Sequence, residues 1–450
     1  MGRPHPEGRG SCRFVENEVK TMKKEMTTQD WLELSERFEP GCANWQAPVV
    51  WHHGRGAEIW DVEGKHYFDW TSGVLVTNVG HAHPRLAEAI SDQAGRLLNT
   101  FDFPTPQRLT LAQKIVEAMP PHLDKVIFMT TGAEAMDASL RIARRYTQKF
   151  EIVAFWGGFH GRSYGPMSVT GLAKIKRHFG PMVPGTILAP YPYCYRCPFE
   201  KAYPECDIFC LTFLDRVVEA ETSGYLAGVI VEPYQGTSGF VFPPPGYMKK
   251  LEEWAKKRGL VFILDEVQSS YGRTGKMWAL EHENLKPDVL CLGKGIGSGA
   301  PIAAVVSTTE IFSCLGTGEM SSTMGGNPLS CAGALAVLEI MAEEKLVEKA
   351  ATNGEYLKNQ LLRLMKKFAF IGDVRGMGLV YGIEFVKDRT TKEPAPDLVR
   401  EIVLNCVANG LMCGKLGIHG NVMRVAPPLV ITQEQIDKSV AILEKALSAV

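Results

Sequence analysis

An excess of charge of either sign is missing from this 450-residue chain: 49 Lys and Arg stand against 50 Asp and Glu, a formal net charge of −1. Without a basic surplus there is no electrostatic footprint for nucleic acid, and no nucleic-acid partner is expected. Long apolar runs are also missing. The best candidate, Leu329 to Ala342, falls short of the roughly 18 residues that a membrane span requires and contains Glu339, so no membrane partner is expected either. The opening run MGRPHPEGRGSCRFVENEVKTMKKEM lacks the apolar block of a secretory signal, and Pro6 occupies the place of the Ser or Thr in a myristoylation signal. Residues 1–26 read as a loose tail, with Met22 and Met26 as alternative natural starts.

A secreted disulfide framework is absent as well. Eleven cysteines are too few and too scattered for one in a chain of this length, and a reducing cytoplasm is the expected compartment. Four of them cluster as Cys194, Cys197, Cys206 and Cys210 in YPYCYRCPFEKAYPECDIFC. The spacing leaves three readings open: a thiolate metal site, a redox-labile pair, or a loop of packed thiols. No His or acid close by would activate a thiolate for chemistry on a substrate. His81 and His83 have no third ligand in view, and there is no His-Glu-x-x-His pattern.

What the chain does have is 45% apolar and 22% charged residues, as in ordinary globular proteins, and 44 glycines whose positions need a reason. Its length alone suggests two or three packed units. Residues 27–75 carry short β-like runs separated by turns, a small antiparallel element. From 76 to about 325, short apolar runs alternate with helical periodicity. Candidate strands are Lys125–Thr130, Glu151–Phe155, Ala227–Glu232, Val261–Asp265, Val289–Leu292 and Ala303–Ser307, with helices over Ala133–Gln148 and Tyr247–Arg258 between them. This alternation predicts an α/β fold with a mainly parallel sheet covered on both faces and its sites at the C-terminal strand ends. After Asn327-Pro328, a helical stretch to about Lys366 opens a second, C-terminal unit, 326–450.

Several strand ends carry chemistry. LVFILD ends in Asp265, which as a residue type could equally cap a helix or face solvent. VLCLG ends in Lys294, within GKGIGSGAP, which is open to readings as a loop charge, a phosphate contact or an imine-forming nucleophile. The glycines around Lys294 formally satisfy G-x-G-x-x-G/A. That motif, however, belongs to a first βα turn that opens a helix, and here Pro301 leads directly into another strand. Thr131-Gly132-Ala133 precedes a run of good helix formers, which is either a plain helix cap or an anion cradle. Trp156-Gly-Gly-Phe159-His160-Gly-Arg162 places aromatics at a strand end, suited to a flat ring or to a core. Together, a phosphate cradle, a stacking aromatic, an acid and a lysine on one sheet are the requirements of pyridoxal phosphate chemistry.

The ordered motifs DVEGKHYFDWTSG, GHAHP, TTGAEA, GGFHGR, VIVEPYQG, LDEVQSSYGRTG, GKGIGSGAP, TMGGNP, GDVRGMGL and MRVAPPL resemble those of class III, ω-type aminotransferases of fold type I, over about residues 40–450. The resemblance implies pyridoxal 5′-phosphate as cofactor and a large cofactor domain, 76–325. It also implies a small α+β domain built from both chain ends, 27–75 and 326–450. The assembly implied is a homodimer or dimer of dimers with shared active sites. By the same resemblance, Lys294 is the Schiff-base lysine and Asp265 the partner of the pyridine nitrogen. Thr131, Gly132 and Ala133 match the phosphate loop, and Thr323 matches a residue that reaches the phosphate of the neighbouring subunit. Phe159 and Val267 match the ring sandwich, with His160 beside it, and Gln268 matches a contact to the phenolic oxygen. Glu232 matches an active-site acid, and Arg424 the arginine that grips the substrate carboxylate, with Arg162 near the substrate.

Two departures bear on the reaction. Ornithine and 4-aminobutyrate aminotransferases carry a glutamate where this chain has Thr237, and that glutamate can neutralise the carboxylate-binding arginine. The C-terminal motifs are similar to those of dialkylglycine decarboxylase, in which a glutamine follows Ser-Gly. Here Val74 follows and offers no polar group. The expected activity is therefore amino transfer from an amino acid or ω-amino acid donor to pyruvate or 2-oxoglutarate by a ping-pong cycle. Amino-acid racemisation and decarboxylating transamination are the alternatives.

Overall fold

The computed structural model describes residues 26–42 and 46–450, so the tail expected over 1–26 falls almost entirely outside the described residues. Helix α1 (Thr28–Phe38) begins at a capping box in which Thr27 and Asp30 satisfy each other's backbone N–H. Three short strands follow, β1 (Trp51–Arg55), β2 (Glu58–Asp61) and β3 (His66–Asp69), paired antiparallel as their alternation predicts.

The alternating middle of the chain supplies the next seven strands: β4 (Lys125–Met129), β5 (Glu151–Phe155), β6 (Thr186–Ala189), β7 (Leu226–Val231), β8 (Val261–Glu266), β9 (Val289–Leu292) and β10 (Ala303–Ser307). They form one sheet in the order β4-β10-β9-β8-β7-β5-β6. Pairs β5/β6, β5/β7, β7/β8 and β8/β9 are parallel, and β10 runs antiparallel to both β4 and β9. Although β7, β8 and β9 read as unbroken apolar runs, the pleat divides their side chains between two cores. Val229, Val231, Phe262, Leu264, Leu290 and Leu292 face one core. Ile230, Ile263, Val289 and Cys291 face the other, with Met136, Leu140 and Ile142 of helix α2 (Gly132–Thr147). Helix α3 (Tyr247–Lys257) buries Tyr247, Met248 and Leu251 against the first face.

The helical stretch after Asn327 is two helices, α4 (Pro328–Glu343) and α5 (Leu346–Lys367), separated where Lys345 takes a left-handed backbone, φ +52°. A third sheet has the order β11-β12-β15-β14, from β11 (Ile371–Met377), β12 (Val380–Phe385), β14 (Gly414–Leu416) and β15 (Val422–Val425). The intervening β13 (Leu411–Met412) pairs parallel with β3, so strands from the two ends of the chain share one sheet. No helix among the described residues is long and apolar enough to cross a membrane.

The four clustered cysteines are free thiols lining one small cavity of about 20 Å3 with Tyr191 and Phe199. Burial pushes the Cys210 thiol up to about 12 and raises Cys194, which favours the protonated forms. Among the described residues, no three His, Cys, Asp or Glu side chains are arranged to hold a metal ion.

Candidate active site

The C-terminal ends of the parallel strands converge on one place. On β8, Asp265 pairs in register with Cys291 of β9, and three residues beyond Cys291 the chain reaches Lys294. A short 3-10 turn, Lys294–Ile296, follows with Lys294 itself at φ +45°, an uncommon conformation for a lysine. No helix opens there. The glycines serve close packing: a Cβ at Gly295 would lie 2.5 Å from Nδ2 of Asn78, and one at Gly297 would lie 2.0 Å from the Ala300 carbonyl. This geometry removes the dinucleotide reading of the motif. Burial holds the Lys294 amine below its ordinary range. Asp265 and Glu232 oppose that shift as nearby anions, and Arg424 reinforces it as a nearby cation.

Asp265 accepts from Nδ1 of His160 at 2.7 Å through Oδ2 and from the Val267 backbone N–H at 3.0 Å through Oδ1. Glu232, just past β7, accepts from the backbone N–H groups of Phe159 (2.8 Å) and Gly236 (3.0 Å). Burial raises the Glu232 carboxyl, with Asp265 adding to the rise and His160 opposing it. His160 is buried, which by itself would depress its imidazolium, yet the bond to Asp265 and the charges of Asp265 and Glu232 leave it raised.

Helix α2 starts beside this cluster. Thr131 caps it, accepting from Glu134 N at 3.2 Å, while Glu134 returns to the N–H groups of Thr130 and Thr131. The N–H groups of Gly132 and Ala133 have no acceptor within the helix by its geometry, which leaves a pair of donors at the positive end of a four-turn dipole. Val267 is wedged against this loop: a Cβ on Gly132 would stand 2.8 Å from Val267 Cγ1, and one on Gly293 would stand 2.9 Å from the same atom. Gly161 has φ +141°, and a Cβ there would lie 3.0 Å from the Cβ of Ala133, so the GGFHGR turn packs directly on the cradle. Phe159 is half-buried with the Arg162 guanidinium 5.9 Å from its ring centroid.

The residues fit pyridoxal phosphate. An anion cradle with Val267 packed on it, a half-buried aromatic, a carboxylate and a desolvated amine are grouped, and Oε1 of Gln268 is buried with no hydrogen-bond partner. Thr323 is exposed. Thr237 is half-buried, and its carbonyl accepts from Gly417 N at 3.1 Å.

Arg424 lies on β15, flanked in register by Gly382 of β12 and Gly414 of β14, so neither neighbouring strand puts a side chain beside it. It lines a cavity of about 440 Å3 together with Val74, Trp31 and Trp51. Sequence reasoning placed Val74 at the substrate site but missed Trp31 and Trp51, since residues from α1, from β1 and from the turn at Val74 meet only in the fold. It also missed Arg273, which is fully buried. Arg273 donates to the carbonyls of Leu379 (2.9 Å) and Pro427 (2.5 Å), to Asn78 Oδ1 (2.9 Å) and to Ser72 Oγ (3.4 Å). Its only signal was its place in the SSYGRTG run.

The family model described as aminotransferase class-III matches residues 42–447. The leucine/methionine racemase of Thermococcus litoralis is 37% identical over 407 residues, covering 90% of this chain and 91% of that protein. The probable 4-aminobutyrate aminotransferase of Bacillus subtilis is 35% identical over 434 residues, covering 94% and 98%. Among solved structures, a Bacillus anthracis aminotransferase superposes with a TM-score of 0.88 at 32% identity, covering 94% of this chain and all of that one. The chain therefore belongs to the class III aminotransferases, the fold type I enzymes that depend on pyridoxal phosphate.

Proposed function

We propose that the chain moves an amino group from an amino acid or ω-amino acid to pyruvate or 2-oxoglutarate in a ping-pong cycle, with Lys294 as the group that moves the proton. The observation that carries this reading is a desolvated Lys294 just past the end of β9 and Asp265 on the adjacent parallel strand β8, next to the N-terminus of α2. When bound, the cofactor supplies an aldehyde for the substrate amine and a ring that draws electrons from it. The Gly132 and Ala133 N–H groups and the Thr131 hydroxyl would hold its phosphate, and Phe159 and Val267 would hold its ring. Asp265, fixed by His160, would keep the pyridine nitrogen protonated, the Gln268 amide would contact the phenolic oxygen, and Glu232 fixes the Phe159 backbone. Lys294 Nζ would take the proton from substrate Cα and hold it for return. Its amine is suited to this because burial favours the neutral form. Arg424 grips the carboxylate of donor and acceptor in turn.

Residues 76–325 make up the cofactor domain in this reading, and 27–75 with 326–450 make up the small one. The pairing of β3 with β13 supports that division. The assembly is a homodimer or dimer of dimers in which Thr323 serves the partner's phosphate. Exposed Leu97, Phe101, Phe103, Leu109 and Met324 support an interface on that side. The cytoplasm is the compartment in keeping with described cysteines that are all free thiols.

The racemase reading is kept because the Thermococcus litoralis relative is named for that activity. Mixing holoenzyme with a single amino donor and no acceptor separates the two. Release of one keto acid per site supports transfer. Appearance of the opposite enantiomer with no keto acid overturns it in favour of racemisation, and release of carbon dioxide overturns it in favour of decarboxylation.

A further inference from the structure

The cavity beside Arg424 is apolar on nearly every side. Trp31 and Leu32 of α1 form one wall, Val50 and Trp51 a second, and Val74 and Met412 the remainder. Several of the polar groups that also line it are engaged. Gln46 Oε1 accepts from Lys415 N at 2.9 Å, Glu39 is exposed and accepts from the Ser35 hydroxyl, and the Thr71 hydroxyl donates to Asp69 at 2.7 Å.

Arg424 stands out against these walls. Its Nε is buried with no hydrogen-bond partner, and among the described residues no carboxylate is bonded to its guanidinium. Asp69, the anion acting on it, is committed to the Thr71 N–H and hydroxyl and to His81 Nε2. Burial pulls the guanidinium below its ordinary range, so a carboxylate placed against it would be strongly favoured. At Thr237 the chain has no acid to fill that role internally.

Val74 adds a second and separate sign. It lies in a run of four left-handed residues, Ser72 to Leu75, with φ +68° and ψ +54°, and its side chain is 47% exposed. A β-branched residue is disfavoured in that conformation, where glycine or asparagine would sit without strain. The strain sits at the mouth of the substrate cavity and presents an isopropyl group to whatever enters.

We infer that this cavity selects α-amino acids with apolar side chains, the α-carboxylate on Arg424 and the side chain against Trp31, Leu32, Trp51 and Val74. The inference rests on the aminotransferase reading for the identity of the site, and it adds the substrate class. A volume of about 440 Å3 admits a leucine- or phenylalanine-sized ligand. A side chain ending in an ammonium would lose its hydration against these walls, and the carboxylate among the described lining residues, Glu39, is exposed to water and so recovers little of that loss.

The test is binding without turnover. Holoenzyme in its pyridoxamine form, with which the amine probes cannot condense, is titrated by calorimetry, with tryptophan fluorescence in parallel, using three probes. These are 4-methylpentanoate (leucine without its amino group), 3-methylbutylamine (leucine without its carboxylate) and 6-aminohexanoate (a carboxylate with a distal ammonium). The expected result is 4-methylpentanoate binding at least about tenfold more tightly than either of the others. Arg424→Gln should abolish that preference over the amine, and Val74→Asp should weaken 4-methylpentanoate while leaving 3-methylbutylamine no weaker. Equal or tighter binding of 6-aminohexanoate overturns the inference, as does 4-methylpentanoate binding that Arg424→Gln leaves unchanged. Selective 4-methylpentanoate binding without keto acid release from leucine would sink the aminotransferase reading and leave the pocket standing. Keto acid release from donors with charged side chains only would do the reverse.

Discussion

Nδ1 of His160 stands 2.7 Å from Oδ2 of Asp265, and both side chains are almost completely withdrawn from solvent. The second carboxylate oxygen is taken by the Val267 N–H, so Asp265 is fixed from two sides at the end of β8. The imidazole is therefore a positioning group: it reaches any bound ring through Asp265.

Removing it should loosen Asp265 without deleting it. A charge-assisted hydrogen bond is worth about 1.5–3 kcal/mol, so His160→Ala should lower kcat/KM by about 10- to 100-fold and weaken cofactor retention. His160→Gln, which can donate to the same carboxylate, should recover part of the loss. The pair also carries a pH signature. The imidazolium is raised above its ordinary value of 6.5, so its contribution to stability is complete below that value and is lost as the pH climbs through the raised one. Urea midpoints measured from pH 6 upward should fall for the wild type and run flatter for His160→Ala. Parallel curves would show that the imidazole is not charged in the folded state.

A buried ion-pair cluster sets the acid limit. Glu384, on β12, accepts from Arg375 Nη1 (2.7 Å), Arg196 Nε (2.5 Å) and the Tyr193 hydroxyl. Burial would raise its carboxyl, but Arg375, Tyr193 and Arg196 outweigh burial and hold it below the ordinary 4.5. A depressed folded value means stability that is present above 4.5 and lost as the pH falls through the folded value. Glu384→Gln should cost about 3 kcal/mol at pH 7, since it leaves the largely buried Arg196 without its carboxylate and Arg375 with Asp373 alone, and the gap should close as the pH drops below 4. Urea unfolding at both pH values checks this.

Arg273 joins three distant segments through four acceptors: Ser72 and Asn78 before the sheet, Leu379 after β11, and Pro427 after β15. Burial lowers its guanidinium to about 10, which still leaves it charged at neutral pH. Arg273→Met should cost about 3–5 kcal/mol by orphaning those acceptors. Because Ser72 begins the strained turn that carries Val74, the KM of the amino donor should rise more than kcat falls. A variant that unfolds at the same urea concentration as the wild type would contradict this.

How much of this could be read from the chain depended on how local each feature is. Strands Glu151–Phe155, Val289–Leu292 and Ala303–Ser307 coincide with their apolar runs because turn residues bound them on both sides. Strand β6, four residues of TILA between Gly185 and Pro190, is too short to show a period and owes its existence to pairing with β5. The break between α4 and α5 was illegible because neither Gly nor Pro marks it, and Lys345 simply adopts the left-handed form. Lys294, Asp265 and the Thr131 cradle were legible as strand-end residues. The role of His160 in holding Asp265, the Val267 wedge and the apolar cavity were not, since each depends on contacts between residues far apart in sequence.

Val267 is packed closely against both Gly132 and Gly293, and this contact yields the sharpest test of the cradle. A methyl on Gly132 would stand 2.8 Å from Val267 Cγ1, closer than real side-chain carbons approach, so Gly132→Ala must displace either the valine or the first turn of α2. Both displacements fall on groups placed against the cofactor, the ring face and the phosphate donors. The backbone at Gly132 is helical, so alanine itself brings no conformational strain, and alanine favours a helix more than glycine does. Global stability should therefore change by less than about 1 kcal/mol while cofactor affinity drops by about tenfold or more, measured by dialysis against apo protein. Val267→Ala in the Gly132→Ala background removes the colliding methyl groups and should restore much of the phosphate-dependent affinity, leaving only the loss of ring contact. If Gly132→Ala binds cofactor as tightly as the wild type, the loop before α2 is not the phosphate cradle. If the double variant is no better than the single one, the collision with Val267 is not the cause of the loss.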